Sequence, residues 1–253
     1  MRVDVALTPS EFAGASLAGG AALVIDVLRA STSVVAACAA GCRQVIPVAD
    51  AEAARARARA FPGGGALLAG EQGGEPIPGF DLGNSPMEYI PERVRGRTII
   101  LTTTNGTAAM IAARAAAAAG VAALTNLTAA ARWAAAQGRD VTLLCAGEKG
   151  RFSLEDAVCA GLLVDRLTGA GEAIEVSDAA MAARRVGQYY LADLSRLLDD
   201  SAWARKLDRA GRAADLRACL ALASVDAVPV LADGAVVPGV PCGPPAAQPE
   251  ARR

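Results

Sequence analysis

TIILTTTNGT, residues 98–107, runs from apolar strand formers directly into four consecutive polar residues, and then into the alanine-rich stretch AAMIAARAAAAAG at 108–120. A short apolar run ended by turn formers reads as a buried strand, and alanine is the strongest helix former. The segment therefore predicts strand, polar loop and helix in that order. The same succession recurs in AALVIDVLRAST (Ala21–Thr32) and in VTLLCAGEKGRFSLED (Val141–Asp156). Strand-to-helix loops emerge at one edge of a parallel sheet, where ligands bind. Together the three loops are expected to gather Asp26, Arg29, Ser31, Thr102 to Thr107, Glu148, Arg151 and Glu155 near one place.

Outward from these loops the alternation continues. Further strands are predicted at Arg2–Leu7, Gln44–Val48, Ala66–Ala69 and Val121–Thr125. Helices are predicted at Ser31–Ala40, Ala51–Ala60, Thr107–Ala119, Ala129–Gln137 and Leu154–Leu167. Strands alternating with helices argue for an α/β fold with a largely parallel or mixed sheet covered on both faces. From about Ser177 the pattern turns helical, at Asp178–Leu191, Leu194–Ala202 or beyond, and Ala213–Ala223. VDAVPVLADGAVVPG then reads as a terminal hairpin turning at Asp233–Gly234. Residues 1–240 are expected to form a single domain, with two lobes divided near 172–178 as the alternative, and the Pro/Ala-rich 241–253 a flexible tail.

The chain has 253 residues, 53% of them hydrophobic by a count that includes alanine, and 4% aromatic. Its core is expected to be valine, leucine and isoleucine with close alanine-mediated packing. A net charge of -1 gives no reason to expect nucleic acid or an anionic membrane as partner. The apolar segments are amphipathic or too short to span a bilayer, and Asp4 sits where a secretion signal would be positive. A cytoplasmic protein is expected, with a homodimer favoured by base rates. The six cysteines include no C-x-x-C pair, so Cys38, Cys42, Cys145, Cys159 and Cys219 are expected to be buried free thiols. There is no histidine, so any hydrolytic chemistry must run on carboxylates, hydroxyls, arginine and a metal ion.

Each loop offers chemistry. In TTTNGT, the hydroxyls and free backbone N–H groups favour a bound phosphate or sulfonate, or form a polar turn capped by Thr107. Asp26 ends a strand three residues before Arg29, where a carboxylate can hold Mg²⁺ or attack phosphorus, or pair with that arginine. A haloacid-dehalogenase phosphatase would carry a second aspartate two residues on, but Leu28 stands there. Ser153 and Asp156 form a helix-capping box that does not need Glu148, Lys149 or Arg151. The long irregular segment Gly70–Pro91 supplies Glu71, Asp81, Asn84 and Ser85, hard oxygen donors of the kind Mg²⁺ takes.

DVLRAST, GE-x-GG, GFDLGNSP, TTTNGT and CAG-x-x-GRFSLED, in this order over Leu23–Leu167, resemble the 2-phosphosulfolactate phosphatase family, with a looser match through DAVPVL at Asp226–Leu231. The resemblance implies a three-layer α/β/α fold and a Mg²⁺-dependent acid phosphatase releasing phosphate from 2-phosphosulfolactate, a step of coenzyme M biosynthesis. Motif matches carry over at Asp26, Arg29, Glu71, Asp81, Asn84, Thr103, Asn105, Glu148 and Arg151. Trp203 stands where the family pattern leads one to expect a polar residue.

Combining both readings, Asp26, Arg29, Glu148 and Arg151 are the expected catalytic residues. Ser31, Asn84, Ser85, Thr102, Thr103, Thr104, Asn105, Gly106 and Lys149 are expected to bind substrate, and Asp26, Glu71 and Asp81 to hold Mg²⁺. A phosphatase for another small anionic ester, or a non-catalytic anion- or nucleotide-binding module, are the alternatives. Unpaired carboxylates argue against the module, because they repel an anion unless a metal intervenes.

Overall fold

The computed structural model describes residues 1–15, 17–169 and 174–239. The tail at 241–253, Cys242 and positions 172–173 of the alternative lobe boundary lie outside the described residues. The strands are β1 (Arg2–Ala6), β2 (Ala21–Ile25), β3 (Gln44–Pro47), β4 (Ala66–Gln72), β5 (Glu75–Pro76) and β6 (Thr98–Thr102). Those that follow are β7 (Ala118–Ala122), β8 (Val141–Cys145), β9 (Glu175–Val176), β10 (Pro229–Ala232) and β11 (Ala235–Pro238). All join one sheet in the order β5-β4-β6-β3-β11-β10-β7-β2-β8-β1-β9.

Two blocks of this sheet are internally parallel: β4-β6-β3 and β7-β2-β8-β1-β9. The predicted hairpin turns at Asp233–Gly234 as expected, but it lies in the middle of the sheet and joins the blocks. Its strand β10 is antiparallel to β7, and β11 is antiparallel to β3. Three antiparallel steps in succession set the two blocks in opposite senses. The three polar loops therefore do not share a single parallel edge, and their meeting depends on the helices that bridge the blocks.

Those helices are α1 (Ala30–Ala39), α2 (Ala51–Ala58), α3 (Pro91–Val94), α4 (Gly106–Ala112) and α5 (Leu127–Ala136). They are followed by α6 (Leu154–Thr168), α7 (Asp178–Leu191), α8 (Leu197–Asp200), α9 (Ala202–Arg209) and α10 (Ala213–Cys219). Helix α1 packs on β7, β10, β11 and β3, and α4 touches both β2 and β3. Along β2 the side chains alternate between the two faces. Ala21, Leu23 and Ile25 join one core with α5, α6 and α7, while Ala22 and Val24 join another with α1 and α4. A sheet with both faces buried between helical layers is a three-layer α/β/α arrangement. Among the described residues no helix is long and apolar enough to cross a membrane. The cysteines at 38, 42, 145, 159 and 219 are buried and free, as expected.

Several predicted elements have other bounds: β4 runs on to Gln72 rather than ending at Ala69, and the strand expected at Val121–Thr125 lies at Ala118–Ala122. The helix expected to reach Ala119 stops at Ala112, and Ala118–Ala122 instead pairs in register with Ala21–Ile25. There the backbone pairing of a central strand outweighs alanine's helix propensity. The helix expected over Leu194–Ala202 is broken at Ser201, whose hydroxyl accepts from Ala204 N–H and starts α9 afresh. The last predicted helix ends at Cys219 rather than Ala223, which takes a positive φ of 51°.

Helices α6 and α7 approach closely through Gly161 and Gly187. A Cβ at Gly161 would lie 1.9 Å from the Ala183 carbonyl oxygen, so no side chain fits without separating the helices. Gly161→Ala is expected to destabilise the fold by about 1–3 kcal/mol, the usual range for overpacking. Thermal unfolding should show it as a fall of roughly 2–4 °C for each kcal/mol in a chain of this size.

Candidate active site

Asp26 follows β2 and is nearly buried, at 7% exposure. Its Oδ1 accepts from Ala30 N–H at 3.1 Å, while Oδ2 has no protein hydrogen bond among the described residues. The loop after β6 presses against it: a Cβ at Gly106 would stand 2.6 Å from Oδ2 and 2.5 Å from the Ala30 Cβ. Within TTTNGT several donors are already engaged. Thr103 N–H donates to the Thr107 hydroxyl, Thr107 N–H to Thr103 Oγ1, and Thr104 N–H to Glu71. The N-cap position of α4 is Asn105 rather than Thr107, and Thr103 Oγ1, two residues ahead of it, takes the Thr107 N–H. Among the described residues the amides of Asn105 and Gly106 have no protein acceptor, and they are the donors this loop can offer an anion.

Four more carboxylates surround Asp26. Burial pushes its carboxyl up to about 7, helped by the negative charges of Glu71, Glu155 and Glu148. Burial also raises Glu155, with Glu148 adding to it, and raises Asp156, with Asp26 and Glu155 adding to it. Asp156 stitches the loops together, accepting from Val27 N–H at 2.8 Å and Gly147 N–H at 3.0 Å. Glu155 accepts from the Ser201 hydroxyl at 2.8 Å. Glu148 accepts from the Asn105 side-chain amide at 3.0 Å, and Asn105 Oδ1 takes the Lys149 N–H. The second and third loops are therefore bound to each other.

Glu71 holds the irregular segment in place. Its Oε2 accepts from Gly74 N–H at 2.6 Å and from the Thr104 hydroxyl, and its Oε1 from Thr104 N–H at 2.7 Å. Arg29 is 3% exposed and donates through Nη2 to the Gly74 carbonyl and through Nη1 to Asp215 Oδ2 at 2.6 Å. Ser85 donates to the other oxygen of Asp215, and the Asn84 carbonyl accepts from Ser33. Asn84 Oδ1 is buried without a partner. A cavity of about 480 Å³ adjoins the cluster at Glu71 and Thr102–Thr104 and is also lined by Asp50, Arg55 and Ile77.

Many of the expected site residues meet around Asp26, and Asp81 does not. Asp81 is exposed, and its carboxylate accepts from Leu68 N–H at 2.8 Å, so it does not join Asp26 on a common cation. Ser31 is fully buried, with its hydroxyl accepting from Asp26 N–H and donating to the Val24 carbonyl, so it shapes the loop rather than touching a ligand. Lys149 and Arg151 are exposed on the turn after β8, and neither makes an ion pair among the described residues.

Sequence reasoning missed the wall supplied by the last helices. Trp203 Nε1 donates to the Leu28 carbonyl at 2.8 Å, and its ring lies against Gly74. Lys206 stands 4.3 Å from the centre of that ring and donates to the Gly73 carbonyl. A tryptophan in place of a polar residue thus covers the glycine turn beside Arg29. Ser201 carried a sequence signal, being a capping residue ahead of a helix. Asp215 carried none, since AADLRAC reads as an ordinary helix start.

A resident metal can be tested against these donors. No group of three or more acidic or cysteine side chains is arranged ready-made around one point among the described residues. Mg²⁺ does not require such a cage, usually taking one or two carboxylates and keeping waters or phosphate oxygens. Asp26 Oδ2 and Glu148 Oε1 accept no protein hydrogen bond among the described residues. The raised carboxyl of Asp26 marks a site that an added cation would relieve. The donor set fits the ion.

An α/β/α chain with clustered carboxylates, a held arginine and free loop amides is the framework of a hydrolase for small anionic esters. The chain belongs to the 2-phosphosulfolactate phosphatase family of phosphoric monoester hydrolases, whose model, described as 2-phosphosulpholactate phosphatase, matches residues 6–234. It is 40% identical to a protein of Symbiobacterium thermophilum over 87% of this chain and 95% of that one. It is 39% identical to one from Gloeobacter violaceus over 87% and 92% of the two chains. With one from Caldanaerobacter subterraneus it shares 36% identity over 85% and 88%. Each of the three carries the name "Probable 2-phosphosulfolactate phosphatase".

Proposed function

We propose that the protein hydrolyses 2-phosphosulfolactate to 3-sulfolactate and phosphate with Mg²⁺. The observation that carries this reading is the buried Asp26, its Oδ2 unengaged, set against the free amides of Asn105 and Gly106. Family membership supports the ester class, and the printed names of the relatives support the particular ester.

In this reading the amides of Asn105 and Gly106 and the remaining N–H groups of Arg29 hold the phosphate oxygens, an electrostatic preorganisation requiring no rearrangement at the moment of reaction. Asp26 and Glu148 would hold Mg²⁺, which when bound would supply neutralisation of charge on the phosphoryl oxygens. Glu71 ties Gly74 to Thr104 and keeps both loops in register around the substrate. Asp26 is the reacting carboxylate: one of its oxygens would face the cation while the other attacks phosphorus or aligns the water that does so. Glu155, whose carboxyl burial raises above its ordinary value, donates the proton to the leaving alkoxide in place of a histidine. Lys149 and Arg151, with no carboxylate partner of their own, pair with the sulfonate and carboxylate of the substrate. Such chemistry belongs in the cytoplasm and in coenzyme M biosynthesis.

The test is phosphate release by purified protein from 2-phosphosulfolactate, phospholactate and phosphoglycerate, between pH 5 and 8, with Mg²⁺ and with EDTA. Release that is fastest from the sulfonate ester and lost in EDTA is expected. Equal rates on all three esters would remove the sulfonate preference, and release undiminished by EDTA would remove the metal. No release from any ester would overturn the reading.

A further inference from the structure

We propose that Asp215, on α10, is a positioning residue that fixes Arg29 for the phosphate group; this rests on the function proposed above. Arg29 has five N–H donors, and two are accounted for by Asp215 Oδ2 at 2.6 Å and the Gly74 carbonyl at 2.9 Å. These two acceptors lie far apart in the chain, one 186 residues after Arg29 and one 45 after it. Together they fix the plane of the guanidinium and leave its other N–H groups for a ligand. The side chains of the pair are 3% and 7% exposed, so water does not loosen the contact. Asp215 is itself held: its second oxygen accepts from Ser85 at 2.5 Å, within the motif GFDLGNSP. A carboxylate with both oxygens engaged by a buried arginine and a buried serine has one available orientation. Asp215 thus links the helical end of the chain to a residue three positions from Asp26.

A pair that merely balances charge and a pair that sets geometry respond differently to Asp215→Glu. Glutamate keeps the charge but carries it one methylene further, displacing the guanidinium. Misplacement by about 1 Å in a catalytic site costs up to about 10²-fold in rate. Asp215→Glu is therefore expected to lower kcat/KM for 2-phosphosulfolactate by at least about tenfold, at a thermal midpoint close to the parent's. Arg29→Lys should lower it too, and the double variant should be no worse than the poorer single one, because both changes cut the same link. Wild-type kcat/KM in Asp215→Glu, or losses that multiply in the double variant, would overturn the proposal. Calorimetric binding of inorganic phosphate provides a second readout that needs no turnover. There Asp215→Glu should weaken phosphate at least about tenfold, and unchanged affinity would overturn the positioning role. Absence of turnover in the parent protein would count against the proposed activity alone, since the phosphate-binding comparison still stands.

Discussion

Asp26→Asn should lower the turnover of 2-phosphosulfolactate by about 10³-fold, within the range set by removing a positioned acid or base, while making the metal-free protein more stable at pH 8. Both effects come from one carboxylate. Asparagine keeps an oxygen to accept from Ala30 N–H but loses the unengaged anionic Oδ2 on which the chemistry depends. The stability effect has the opposite sign. In the metal-free chain burial, with Glu71, Glu155 and Glu148 nearby, raises Asp26 from 3.8 to about 7. Across that interval the native state keeps a proton that the unfolded chain has released, so stability falls as pH rises from about 4 to about 7. The amide removes this penalty, so the variant's thermal midpoint in EDTA should exceed the parent's at pH 8 and draw level with it near pH 4. Unchanged turnover would remove Asp26 from the reaction. A lower midpoint at pH 8 would show that the cluster around Asp26 is not under electrostatic strain.

Gly106→Ala adds a single methyl group at the point where the loop after β6 meets Asp26. That methyl would lie 2.5 Å from the Ala30 Cβ and 2.6 Å from Asp26 Oδ2, so the loop or the start of α1 must move. Either movement shifts the Asn105 and Gly106 amides relative to Oδ2 by a large fraction of an ångström. Rate losses of about 10²-fold accompany shifts of about 1 Å in a reacting geometry. A loss of that order in kcat is expected, with the fold retained by circular dichroism. Wild-type kcat would mean that the close approach of loop and carboxylate has no part in turnover.

What the sequence disclosed was what lies at the ends of strands. Asp26, Glu148 and Thr102–Gly106 were legible because each follows an apolar run by no more than a few residues. Arg29 was legible as a neighbour of Asp26, but its partner was not. Asp215 and Ser201 act across 186 and 46 residues of separation, and no local pattern in either helix announces such contacts. Glu155 was visible in the third loop, but its burial among other carboxylates could not be read there. Asp81 shows the reverse case, a residue of suitable chemistry in a suitable motif whose carboxylate is engaged in holding a strand. The strand expected at Val121–Thr125 begins three residues earlier, at Ala118, and that start was masked by composition, since alanines suit a helix until neighbouring strands pair with them.

The position of the β10–β11 hairpin also bears on the order in which the molecule can assemble. Synthesis runs from the amino to the carboxyl end, so both parallel blocks emerge before Pro229–Pro238 does. Until that segment arrives, β7 and β3 each present an open edge, with backbone groups ready to pair with any other chain. The pairing of β11 with β3 also closes the longest loop of the sheet, from Val45 to Val236, a slow kind of step in folding. A growing chain therefore depends on its last hairpin both to unite its halves and to cover the edges through which it could aggregate.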